Sequence, residues 1–262
     1  MDTDLAPRRP FTRYVAIGDS QTEGVGDPDG MGGYRGWADR FAELLGAACP
    51  DVLYANLAVR GRRIEAIRAE QLDAALALGP DLVTVLAGMN DLIRPGASRA
   101  GLLRELDTVF GALVGSGATV VSFTFPDLGA VIPPARPLSA RIYALNDDVR
   151  ELAEEHGVVL VDIETAEVTG NPAVWAEDRL HLNPLGHDLL ARAVADALAL
   201  PGSDGSWREP LPFPERGYAR SMGAGLRWAT RYLLPWAARR AAGRSAGDGV
   251  TAKRPDLLPV LP

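Results

Sequence analysis

Cysteine is nearly absent from this 262-residue chain: Cys49 is alone, so no intramolecular disulfide can form and nothing points to an oxidising compartment. Lysine is as scarce, occurring only at Lys253. The other 26 basic residues are arginines, a bias that suggests a GC-rich genome rather than a chemistry. Three scattered histidines and one cysteine offer no metal-ligand spacing, and neither a Walker loop nor a dinucleotide fingerprint is present, so no metal and no cofactor are expected. No apolar run is long enough to span a bilayer. The first ten residues carry acidic side chains and no apolar core, which does not read as a secretory signal; a cytoplasmic location follows by default. Positive charge is also in deficit: the net charge of -7 argues against a nucleic-acid partner.

What remains is an ordinary globular composition, 47% hydrophobic and 23% charged. Apolar runs at Tyr14–Ile17, Val52–Asn56, Asp81–Leu86, Ala118–Phe125 and Val158–Asp162 alternate with segments of helical periodicity. These helices run from Trp37 to Gly46, Ile64 to Leu76, Leu102 to Leu113, Leu138 to Glu155 and Pro184 to Leu200. Such alternation predicts a parallel sheet with helices on both faces: an α/β domain of three layers over residues 1–200, its sheet five-stranded. Two stretches between these elements, Gly24–Gly33 and the proline-rich Pro126–Pro137, read as loops.

Residues 201–262 differ. Ten basic against five acidic residues make this extension +5 and leave the body at -12, and three of the five tryptophans, Trp207, Trp228 and Trp236, lie in it. Tyr218, Met222, Leu226 and Leu233 step at helical intervals, Pro235 breaks the pattern, and Arg254–Pro262 should be extended. Opposite charge favours packing of this segment on the body, with contact to an anionic membrane surface as the alternative. A turn at Gly243-Arg244-Ser245-Ala246-Gly247 matches G-x-S-x-G, but no strand precedes it and no histidine follows it. It reads as a flexible turn.

Polar residues that structure alone does not demand collect at strand and helix ends. Gly18-Asp19-Ser20 ends the first strand, Gly61 follows the second, Gly88-Met89-Asn90-Asp91 follows the third, and Asp178-Arg179-Leu180-His181 precedes the last helix. In a parallel sheet the first three emerge at one edge. Ser20 is either a helix cap or a nucleophile. A nucleophilic serine needs a base, which His181 can be, and an orienting carboxylate, which Asp178 supplies if its loop is helical. Backbone N–H groups of Ser20 and Gly61 with the Asn90 amide would receive an oxyanion. Asp91 and Asp19 read as turn formers, His187 as a buried structural residue and His156 as a helix-end cation.

Those four blocks, in this order and spacing, resemble the SGNH/GDSL hydrolases over roughly Tyr14–Leu200. The resemblance implies a flavodoxin-like fold with strand order 2-1-3-4-5 and a serine esterase acting through Ser20, His181 and Asp178. It also implies an oxyanion hole of Ser20, Gly61 and Asn90. The substrate would be a small-molecule, lipid or sugar ester. An acyltransferase using the same acyl-enzyme, or a binding module on a degenerate scaffold, is the alternative. Gln21 and Met89 depart from the family pattern, Gln21 standing where an apolar residue is more usual.

Overall fold

The computed structural model describes residues 10–94, 96, 98–213, 225, 227–242 and 244–260. Six strands, β1 (Arg13–Gly18), β2 (Leu53–Asn56), β3 (Leu82–Leu86), β4 (Thr119–Phe123), β5 (Val159–Val161) and β6 (Arg254–Pro259), form one sheet of order β5-β4-β3-β1-β2-β6. The first five run parallel, in the order the resemblance implies. Central strands covered on both faces can be apolar without alternation, and Tyr14–Ile17 of β1 and all of β3 are buried accordingly.

The helices are α1 (Gly36–Ala48), α2 (residues 64–77), α3 (Arg99–Gly115), α4 (Ser139–His156) and α5 (Pro184–Ala197). α1 packs against α5, and α3 against α2 and α4, giving two helical groups that flank the sheet. Aromatic side chains join the layers: Tyr14 stacks on Tyr54 at 4.9 Å and meets Phe41 edge-on at 5.1 Å, while Trp37 of α1 meets Phe123 of β4.

The sheet has one strand more than expected. β6 pairs antiparallel with β2 and covers what would otherwise be an open parallel edge. Its Pro255 is tolerated because β6 is itself the outer strand. Pro126–Pro137 is also more ordered than a loop, folding into a helical turn at Leu128–Val131 and a 3₁₀ segment at Pro133–Leu138.

Within the C-terminal segment, the chain passes from a π-helical turn at Ala229–Leu233 into α6 (Leu234–Ala241). Pro235 does not end this helix: it sits where the π-helical turn passes into α6, and its missing N–H removes one helical bond there. Tyr218, Met222 and Leu226 of the anticipated apolar stripe lie outside the described residues, and Leu233 is exposed. The anchors are instead Trp207, which is buried with its indole N–H on Asp196, and the half-buried Trp228.

Candidate functional site

β1 ends in a forced turn. Gly18 has φ +154°, and a Cβ there would lie 2.6 Å from both the Leu86 carbonyl oxygen and Thr22 Oγ1. Its N–H and C=O, diverted from the ladder, are both taken by the buried amide of Gln71, at 2.9 and 3.0 Å. Gln71 is aimed there by a π-helical turn, Arg68–Leu72, inside α2. Beyond Gly18 the chain enters a single helical turn, Ser20–Glu23, capped by Asp19, whose Oδ1 accepts the Gln21 N–H. Ser20 is therefore the first residue of a helical turn held at the carboxyl end of the central strand.

His181 meets it from 161 residues away. Its Nε2 lies 2.9 Å from Ser20 Oγ, and its Nδ1 lies 2.6 Å from Asp178 Oδ2. With the Nδ1 proton directed at the carboxylate, Nε2 is left to accept the serine hydroxyl proton. Asp178–His181 is not helical. It is a turn in which Asp178 Oδ1 accepts the N–H groups of Leu180 and His181, and Arg179 takes φ 60°. Burial alone would raise the Asp178 carboxyl. Hydrogen bonding and charge from His181, with these two N–H groups, outweigh that and hold it below the ordinary carboxylate value.

Two side chains that the sequence did not single out for this work hold the His181 turn. Gln21 donates from Nε2 to the Leu180 carbonyl at 2.9 Å and accepts the Leu182 N–H at 3.4 Å, bracketing the histidine on both sides. Trp228, from the C-terminal segment, donates its indole N–H to the Asp178 carbonyl at 3.1 Å. Neither pairing has a local sequence signal, since each partner is distant along the chain.

Gly61 and Asn90 border the same cleft as Ser20 and His181. The Asn90 amide donates to Asp19 Oδ2 at 2.8 Å and to the Arg62 carbonyl at 3.0 Å, so both of its hydrogens are engaged. An oxyanion bound through this amide would have to draw one of them away. Burial drives the Asp19 carboxyl up to about 6, partly offset by the Gln21 N–H and the charge of His181. Asp19 is thus both turn former and partner of Asn90. Asp91 bonds backbone too, but that of Ile64 at the start of α2, which ties the loops after β2 and β3 together. His187 is fully buried: Nδ1 accepts the Trp37 N–H and Nε2 donates to the Val25 carbonyl. His156 contacts Asp107 at the far end of α4.

Ser20 and His181 sit where two cavities meet. One, of about 90 Å³, is walled almost wholly by apolar side chains, among them Met89, Phe125, Trp175, Leu190 and Trp207. The other, about 660 Å³, is wider and lined by arginines. The Ser245 turn forms part of its rim. Ser245 Oγ lies 3.4 Å from the Gly61 carbonyl, and a Cβ on Gly247 would lie 2.1 Å from the Arg60 carbonyl oxygen. Ser245–Gly247 is therefore a seated turn: Ser245 N–H is held by Asp248 and Gly247 N–H by Ser245 Oγ, while Gly243 of the motif lies outside the described residues. Chemically, a serine hydroxyl bonded to an imidazole that is itself bonded to a carboxylate can attack a carbonyl as its proton passes to the ring.

Residues 16–189 match the model of the GDSL-like lipase/acylhydrolase family. An acetylxylan esterase of Geobacillus stearothermophilus is 27% identical over 201 residues, spanning 69% of this chain and 91% of the esterase. The structure of that organism's acetylxylan esterase Axe2 superposes with a TM-score of 0.62 at 21% identity, over 74% of this chain and 97% of Axe2. LAE5, an alpha/beta hydrolase from the metagenome of Lake Arreo, gives 0.61 at 23% identity, over 72% of this chain and 95% of LAE5. The chain belongs to the GDSL-like lipase/acylhydrolase family and is an ester-hydrolysing enzyme.

Proposed function

We propose that the enzyme hydrolyses short-chain carboxylic esters through an acyl-enzyme on Ser20, with His181 as general base and then general acid and Asp178 orienting its ring. The observation that carries this reading is the unbroken chain Ser20 Oγ, His181 Nε2, His181 Nδ1, Asp178 Oδ2, with separations of 2.9 and 2.6 Å on either side of the ring. The N–H groups of Ser20 and Gly61 and the Asn90 amide receive the oxyanion as the carbonyl becomes tetrahedral. His181, charged at that moment, gives its proton to the departing alcohol; water then repeats the sequence on the acyl-enzyme.

Acyl length follows from the apolar cavity. At about 90 Å³ it is smaller than the ~150 Å³ void that holds a benzene ring. It suits acetyl to butyryl groups rather than long lipid chains. The acetylxylan esterase relatives support acylated sugars as one source of such esters.

A fluorophosphonate should label the protein at Ser20, and Ser20→Ala should abolish labelling and lower p-nitrophenyl acetate turnover by roughly 10³-fold or more while remaining folded. Near-normal turnover in a folded Ser20→Ala protein would end the assignment of Ser20 as nucleophile.

A further inference from the structure

The two cavities at Ser20 must divide an ester between them, and their chemistry is opposite. If Ser20 is the nucleophile, as proposed above and on which this inference rests, the small apolar cavity takes the acyl group. The wide cleft beside His181 then takes the alcohol portion that leaves. Arg60, Arg63, Arg94, Arg239 and Arg244 line that cleft, and no aspartate or glutamate stands among its described lining residues. In a protein whose net charge is -7, this is a local inversion of sign.

These arginines differ in how far they are already neutralised. Arg60 is engaged by the buried Glu23 carboxylate and covers the Tyr34 ring. Arg63 reaches Glu65 only at 3.7 Å. Among the described residues, Arg94, Arg239 and Arg244 have no carboxylate within ion-pair distance, although the surface elsewhere pairs many arginines, such as Arg40 with Asp27 and Arg150 with Asp162. Exposed guanidinium groups left without a partner around a concave site raise the local concentration of anions. Their planar forks also match carboxylate and phosphate oxygens.

Two of the three unpaired arginines come from beyond the family match, which ends at residue 189. They are also held in place. Arg244 precedes the Ser245–Gly247 turn, which is seated on the Arg60–Gly61 backbone as described above, and Arg239 lies on α6. The C-terminal segment thus builds one wall of the leaving-group side of the cleft and gives it positive charge.

We infer that the C-terminal segment completes an anion-binding leaving-group subsite, so that the preferred substrates are short-chain esters whose alcohol portion carries a carboxylate or a phosphate. The acyl group lies in the apolar cavity, its carbonyl at Ser20, and the anionic alcohol faces Arg94, Arg239 and Arg244. Attack by Ser20 Oγ forms the acyl–serine ester and breaks the bond to the alcohol oxygen, which leaves with the proton held by His181.

Matched pairs of butyryl esters test this. One pair is 4-hydroxybenzamide against 4-hydroxybenzoate; the other is glycerol against glycerol 3-phosphate. For the full-length protein in about 20 mM salt, kcat/KM should favour the anionic member by about tenfold or more. That ratio should shrink toward unity as salt rises to about 500 mM, because exposed charges are then screened. The double variant Arg239→Gln, Arg244→Gln should lower the anionic-to-neutral ratio severalfold, whatever happens to the absolute rates. Preference in both pairs indicates any anion, and preference confined to the second indicates a phosphate; either supports the inference. Ser20-dependent hydrolysis without anionic preference at low salt overturns it while leaving the proposed mechanism intact. Hydrolysis that survives Ser20→Ala removes the mechanism and this inference together.

Discussion

His187 makes the fold sensitive to acid in a way that can be calculated. It has no exposed surface; its Nδ1 accepts the Trp37 N–H at 3.0 Å and its Nε2 donates to the Val25 carbonyl at 3.2 Å. A second proton would have to sit on Nδ1, pointing at an N–H that already points back. Burial depresses this histidine from its ordinary 6.5 to about 4, despite the Val25 bond and the nearby Asp27 charge. A folded pKa below the unfolded one means the unfolded chain takes up the proton first. The stabilising contribution is therefore complete above pH 6.5 and drains away as the pH falls through 6.5 toward 4. At 1.36 kcal/mol per unit, the loss by pH 4 is about 3 kcal/mol. For a chain of this size that corresponds to roughly 10 °C in melting temperature. His187→Asn keeps an acceptor for Trp37 N–H but cannot titrate. It should be less stable than wild type at pH 7.5, because it leaves the Val25 carbonyl unpaired and opens a void, yet lack this part of the pH dependence. Urea unfolding followed by tryptophan fluorescence, at steps between about pH 7.5 and 4, measures both proteins; the gap between them should close by about 3 kcal/mol. If the two curves run parallel across that window, His187 does not remain neutral in the fold.

The residues on which the proposed mechanism rests were legible because they stand at element ends that the local pattern already marks. Tyr14–Ile17 followed by Gly-Asp-Ser can hardly be other than a strand opening into a turn. His181 stands just before a helix signalled by Asn183-Pro184, with Asp178 three residues earlier to meet it. What escaped the sequence depends on partners far along the chain. Gln21 and Leu180 are 159 residues apart, and Gln71 and Gly18 are 53 apart; a lone glutamine carries no period or motif that announces such a bond. Arg254–Pro262 reads as extended chain, but its place in the sheet is hidden by its composition, since Arg-Pro-Asp-Leu-Leu-Pro lacks the alternation of a half-buried strand and carries Pro255 and Pro259 on either side of Asp256-Leu257-Leu258. Only the vacant edge of β2 makes it a strand. The single lysine carries no signal in the sequence beyond a bias of composition, yet its position is specific. Lys253 Nζ donates to the carbonyls of Tyr34 and Arg35 and to Asp39 Oδ2, using all three of its hydrogens.

Two further outcomes follow from the long-range bonds. Gln21→Leu, which restores the apolar residue more usual in the family, should leave the fold intact but free the backbone on both sides of His181. kcat for p-nitrophenyl acetate should then fall about tenfold with KM little changed, since a misplaced base costs rate rather than binding; a change confined to KM would instead place Gln21 against the substrate. The last concerns Lys253. Its ammonium fills a socket of two carbonyl oxygens and one carboxylate, at 3.0, 2.6 and 2.9 Å, that a planar guanidinium cannot satisfy from three directions. Burial lowers its pKa, against the pull of Asp39, and burial raises that of Asp39, so each depends on the other to stay charged. Lys253→Met keeps most of the stem and removes the charge. Among the described residues Asp39 then keeps one hydrogen-bond donor, the Tyr54 hydroxyl at 2.7 Å, with the charge of Arg254 nearby. The pair is partly exposed, at 21% and 27%, so breaking it from one side costs less than a fully buried pair would, about 2 kcal/mol, or roughly 5 °C in melting temperature. Because Lys253 immediately precedes β6, part of that loss should appear as fraying of the strand from β2. Adding Asp39→Asn to Lys253→Met removes the stranded carboxylate and should recover part of the loss, a coupling that a double-mutant cycle by thermal melts reads directly. A Lys253→Met protein that melts within about 2 °C of wild type, or a second substitution that merely adds to the first, would show that the lysine is a bystander on the sheet edge.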